Sequence, residues 1–66
     1  MSVVKVIEVL SQSEESWEDA AQQAVTVAAK SVRNIKSIYI ENMQAAVEDN
    51  KIVGYRVDAK ISFLVE

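Results

Sequence analysis

The stretch Val53-Gly54-Tyr55-Arg56-Val57-Asp58-Ala59-Lys60-Ile61-Ser62-Phe63-Leu64-Val65 decides the fold. Apolar or small side chains occupy every odd position from 53 to 65, and polar ones stand between them almost to the end. A period of two is the signature of a strand with one buried face. Thirteen such residues would reach about 43 Å at 3.3 Å each. The charged row Arg56, Asp58, Lys60 falls on the opposite face, which therefore meets water, a ligand or another copy of the chain.

Working outward, residues 3–10 are rich in β-branched side chains broken by Lys5 and Glu8, and predict a first strand. Ser11-Gln12-Ser13 ends it. A helix is expected from Glu14 to about Arg33. Trp17, Ala20, Ala21, Ala24, Val25, Ala28 and Val32 follow the i, i+3, i+4, i+7 spacing of one helical face. Ser13 suits the N-cap, or Ser11 with Glu14 forms a capping box instead. Glu14 and Glu15 complement the dipole at one end, Lys30 and Arg33 at the other. Asn34 terminates the helix. Residues 36–47 alternate less cleanly, and Glu48-Asp49-Asn50-Lys51 is a turn by composition.

The expected fold is therefore α+β, a single domain over residues 1–66 with the order β-α-β-β. The helix returns the chain, so the second strand runs parallel to the first. If the third strand lies between them, every pairing is antiparallel and the spatial order is 1-3-2, wrapped around one helix. A helix of about 20 residues spans about 30 Å, less than the last strand. Apolar sheet left bare by the helix is most simply covered by further copies of the chain.

Composition narrows the function. A chain of 66 residues has a marginal core, which natural proteins support with disulfides, metals or association. There is no Cys and no His, which excludes disulfides, thiolate chemistry, zinc sites built on those ligands and His-dependent triads. Ten acids against seven bases give a net charge of −3, against a nucleic-acid partner. The N-terminus has no uninterrupted apolar run, so the reading is a cytoplasmic protein with no membrane partner. Gly54 is the only glycine, so no Gly-rich phosphate loop exists. With no convergent acid–base pair either, the chain reads as a binding protein rather than an enzyme.

Two segments resemble a known family. Val6-Ile7-Glu8-Val9-Leu10-Ser11-Gln12-Ser13-Glu14-Glu15-Ser16-Trp17-Glu18-Asp19-Ala20-Ala21 is similar to the first strand and helix start of the dodecins. Tyr55-Arg56-Val57-Asp58-Ala59-Lys60-Ile61-Ser62-Phe63 is similar to their long last strand. The resemblance implies a homo-dodecameric cage with small-molecule sites between subunits and, by family default, storage of flavin (riboflavin, FMN or FAD). The positions matching the family's flavin site are Ser37, where flavin-binding members have a stacking Trp, and Arg56, where they have a Gln that pairs with the ring. Losing the stack removes on the order of 1 kcal/mol. Tyr39 and the Arg56 guanidinium plane remain as alternative platforms.

The chain also resembles a second group, the calcium dodecins, in Ser16-Trp17-Glu18, in a non-aromatic Ser37 and in Tyr55-Arg56. That resemblance implies a flavin-free cage binding metal ions or serving a structural role. Hard cations want several oxygen ligands. Glu14 and Glu18, with Glu15 and Asp19, cluster at the helix start, where symmetry would gather copies of them around an ion. The same acids also suit the helix dipole without any ligand. Trp17 reads as a core or subunit-contact side chain.

Overall fold

A computed structural model describes residues 2–65. Strand β1 covers Val3–Ser13, helix α1 Trp17–Ala28, strand β2 Ile35–Glu48 and strand β3 Lys51–Val65. The sheet order is β1-β3-β2. Both pairings of β3 are antiparallel, from Val3↔Val65 to Ser13↔Tyr55 and from Ile35↔Phe63 to Glu48↔Lys51. The expected order and the expected central strand are both found.

The odd residues of β3 meet the helix. Val57, Ala59 and Ile61 are buried beneath Ala20 and Ala24 of α1. Alanine at both helix positions lets the helix axis approach the sheet closely, at the cost of a thin core. Trp17 ties the helix start to the sheet. Its indole Nε1–H donates to the Gln44 carbonyl at 3.0 Å. Its ring also meets Tyr55 edge-on, with centroids 4.8 Å apart and planes at 74°.

The helix is shorter than its apolar spacing predicts, 12 residues against about 20. Ser13 is buried and does not cap it. Its hydroxyl accepts from the backbone N–H of Glu15 at 2.9 Å and donates to Asp19 Oδ2 at 2.6 Å. This local turn keeps Glu14 and Glu15 out of the helix. Ser16 caps instead, its Oγ accepting from the Asp19 N–H at 2.9 Å. At the far end the bonds tighten from four-residue to three-residue spacing, with Lys30 N donating to Val27 O and Ser31 N to Ala28 O. Lys30 and Arg33 therefore lie beyond the last turn, which has no basic residue. Asn34, at φ 62°, turns the chain into β2.

The β2–β3 hairpin closes through Asp49 and Asn50, at φ 50° and 65°. Two consecutive positive φ values are what a two-residue turn between right-twisted strands requires, and Asp and Asn tolerate them. The 15 residues of β3 span about 50 Å at 3.3 Å each, matching the longest dimension of 52 Å. The 12-residue helix covers only about 18 Å of that length. Val3, Met43 and Val65, on the helix side, consequently stay exposed, and Val4 and Leu10 are exposed on the opposite face.

Candidate metal centre

Strand register decides what shares the outer face of the sheet, the one turned away from the helix. Arg56, Asp58, Lys60 and Ser62 occupy it on β3. Glu8 stands opposite Lys60 on β1, and Leu10 opposite Asp58. On β2 the partners are Ser37 for Ser62, Tyr39 for Lys60 and Asn42 for Asp58. The register slips between Ile40↔Ala59 and Asn42↔Asp58, so Glu41 is an extra residue with no partner of its own. In such a bulge two residues of one strand oppose one of the other, which re-aims a side chain. Glu41 follows Tyr39 onto the charged face by simple alternation, the bulge brings Asn42 onto it as well, and Glu41 Oε1 lies 3.0 Å from Lys60 Nζ.

The result is a convergence of three carboxylates from three strands. Glu8, Glu41 and Asp58 each present an oxygen, and these oxygens all lie within 4.8 Å of one another. Glu8 and Glu41 are exposed, while Asp58 is half-buried. Its Oδ1 is shielded from solvent and has no hydrogen-bond partner among the described residues. An orphaned buried carboxylate oxygen is costly unless something compensates it. Three carboxylates form an all-oxygen donor set, the kind a hard divalent cation takes, and the open side leaves room for water to complete six to eight ligands. The residues present fit calcium.

The crowding perturbs titration. The Glu8 pKa is raised above its ordinary value of 4.5, first by a proton shared with Asp58 and then by the Asp58 charge. Lys60 is raised above 10.5 by its hydrogen bond to Glu41 and by that group's charge. A carboxylate with a higher pKa folded than unfolded binds more protons in the folded state. Its stabilising contribution is therefore complete below pH 4.5 and disappears as pH rises through the raised value. In chelator, thermal unfolding should show stability falling over that window. Glu8→Gln should flatten the fall, and a profile unchanged by Glu8→Gln would contradict the assignment.

The residues singled out from the sequence are distributed differently. Ser37, Tyr39 and Arg56 all lie on the outer face. Ser37 exchanges a hydrogen bond with the Ser62 hydroxyl. Tyr39 is 66% exposed. Arg56 Nε donates to Gln12 Oε1 at 2.7 Å. The β3 partner of Ser37 is six residues from Arg56, about 20 Å along the strand, so one protomer does not bring the two together. Glu14 lines an open polar hollow with Gln12, Asp19 and Arg56. Glu18 is exposed on the first turn of α1. Neither belongs to the converging carboxylates, and a site built on them would need several copies.

Glu8, Glu41 and Asp58 were not read from the sequence as metal ligands, although Asp58 belongs to the charged row of β3. One signal was available: the apolar positions of β2 change from even (Ile38, Ile40) to odd (Met43, Ala45, Val47), the trace that an inserted residue leaves.

The dodecin family model matches residues 3–66. The chain belongs to the dodecin family. Calcium dodecin from Mycobacterium tuberculosis is 38% identical over 63 residues, which are 96% of this chain and 89% of that protein. The crystal structure of that calcium-chelating antigen, described as having a novel calcium-binding site, matches with a TM-score of 0.84 at 35% identity. The match covers 98% of this chain and 93% of that one. Dodecin from Streptomyces coelicolor gives a TM-score of 0.93 at 25% identity, over 98% of this chain and 93% of its own. Among the described residues of this dodecin no helix is long and apolar enough to cross a membrane.

Proposed function

We propose that this dodecin is a non-catalytic, self-assembling protein that sequesters a divalent cation, calcium by analogy with its relative, at Glu8, Glu41 and Asp58. The observation that carries the reading is the convergence of three carboxylates, together with an Asp58 Oδ1 that has no hydrogen-bond partner among the described residues. Calcium supplies the positive charge that offsets their mutual repulsion; the chain supplies the fixed oxygens. The 38% identity to a protein named calcium dodecin supports the choice of ion. The apolar sheet ends left bare by the short helix support assembly, for which the family resemblance implies a closed cage of twelve copies.

Calorimetric titration of the purified assembly with calcium tests this. Heat is expected with affinity in the range of about 10⁻⁴–10⁻³ M, as for open, partly hydrated sites. Absence of heat would remove the cation. Light scattering should report about twelve times the 7.3 kDa chain mass, and a stable monomer would remove the cage.

Flavin storage is the second reading. It is favoured by the exposed Tyr39 ring and by an Arg56 guanidinium that Gln12 already holds in place. In an assembly these planar groups could flank a flavin between copies, with Ser37 beside it. Quenching of riboflavin or FMN fluorescence by the calcium-free protein would support it, and unchanged fluorescence would exclude it.

A further inference from the structure

Lys60 stands among the converging carboxylates. It lies opposite Glu8 on one neighbouring strand and opposite Tyr39 on the other. Its Nζ is 3.0 Å from Glu41 Oε1, with the side chain about half exposed. Three ionised carboxylates carry three negative charges and the ammonium returns one, so two remain, the deficit a divalent ion fills. The Glu41 carboxylate that Lys60 holds is one that an ion entering between Glu8, Glu41 and Asp58 would also use. Asp58 Oδ1, shielded and without a hydrogen-bond partner among the described residues, is the group that Lys60 leaves unmet.

We propose that Lys60 is a tethered competitor for the cation, holding Glu41 when no ion is bound and releasing it when one arrives. This rests on the cation reading above and adds to it a residue that sets affinity. A long, flexible side chain with a strongly hydrated head can swing into solvent without disturbing β3. Its positive charge stays within a few ångströms and opposes the ion. The site is thereby tuned for reversible exchange, filling when calcium is plentiful and emptying when it is scarce, rather than for permanent retention.

The test is calorimetric titration of the assembled protein with calcium chloride at neutral pH and low salt. Lys60→Met removes both the occupant of Glu41 and the repelling charge, and should tighten binding at least about tenfold, since a unit charge near a surface site is worth about a factor of ten or more. Lys60→Arg keeps the charge and can grip Glu41 with two N–H groups, so it should bind calcium no tighter than the parent. A Lys60→Met protein with parental or weaker affinity would overturn the competitor role while leaving the cation site standing. No binding by the parent would overturn both. Should Lys60→Met fail to assemble, labelling of the Lys60 amine in the parent by an acylating reagent, read by mass spectrometry, decides. Calcium should raise its reactivity, and unchanged reactivity in a calcium-binding protein overturns the proposal.

Discussion

Replacing two of the three outer-face carboxylates together, Glu8→Gln with Asp58→Asn, is expected to lower calcium affinity more than 100-fold. Each substitution keeps an oxygen donor and nearly the same shape, so what is lost is charge. Calcium binds by charge count as much as by geometry. At surface-like screening, each of two unit charges about 4 Å from an ion is worth about tenfold or more in affinity. The same double variant should melt higher than the parent at neutral pH in chelator, because the Glu8 pKa is raised by hydrogen bonding to Asp58 and then by its charge, so that ionising both carboxyls costs stability the amides do not lose. Opposite signs for cation affinity and apo stability distinguish a ligand site from a merely structural cluster. Glu14→Gln and Glu18→Gln provide the contrast: both side chains are exposed and lie outside the convergence, and binding should stay within about twofold of the parent on the expectation that distant, screened charges matter little. If those two abolish binding instead, the ion sits at a helix-start site shared between copies.

Ile61→Ala should cost about 2–5 kcal/mol, the range for truncating a buried aliphatic side chain. Ile61 is fully buried. Among the described residues the rest of the core is Val57 and three alanines, so little neighbouring volume can collapse into the hole. For a chain of this size that is a large share of total stability. Urea unfolding followed by Trp17 fluorescence would measure it. A loss below about 1 kcal/mol would mean that the interior closes over the cavity more readily than close packing allows. Leu10→Ala is the informative companion. Leu10 is 81% exposed in the protomer, and a solitary surface change should stay within about 0.5 kcal/mol. A loss above about 2 kcal/mol would show that Leu10 is buried between copies in the working assembly.

The alternation from 53 to 65 was enough to read β3, and β3 was enough to read the rest of the topology. A strand that long must pair on both sides, and a β-α-β-β order with the last strand central is the arrangement in which both pairings are antiparallel. The dodecin resemblance was legible for the same reason, since Tyr55 to Phe63 and Val6 to Ala21 carry most of the secondary structure. The helix ends were not legible. Glu14 and Glu15 suit a helix start whether or not they belong to it, and the buried Ser13 hydroxyl, which decides the matter, depends on Asp19 being held near it by the fold.

Glu8, Asp58 and, by alternation with Ser37 and Tyr39, Glu41 could be assigned to one face from their positions and the strand order alone. Local pattern thus yields the fold class, the strand order, the absence of His and Cys chemistry and the charged character of the outer face, because periodicity and composition act on each residue through its near neighbours. Bringing Glu41 to the other two carboxylates, and placing Lys60 against it, needed the three-dimensional pairing. One inserted residue in β2 reverses which face its side chains meet, and whether the ladder absorbs it at 41 rather than at a neighbouring position depends on how the whole sheet closes against β3 and the helix.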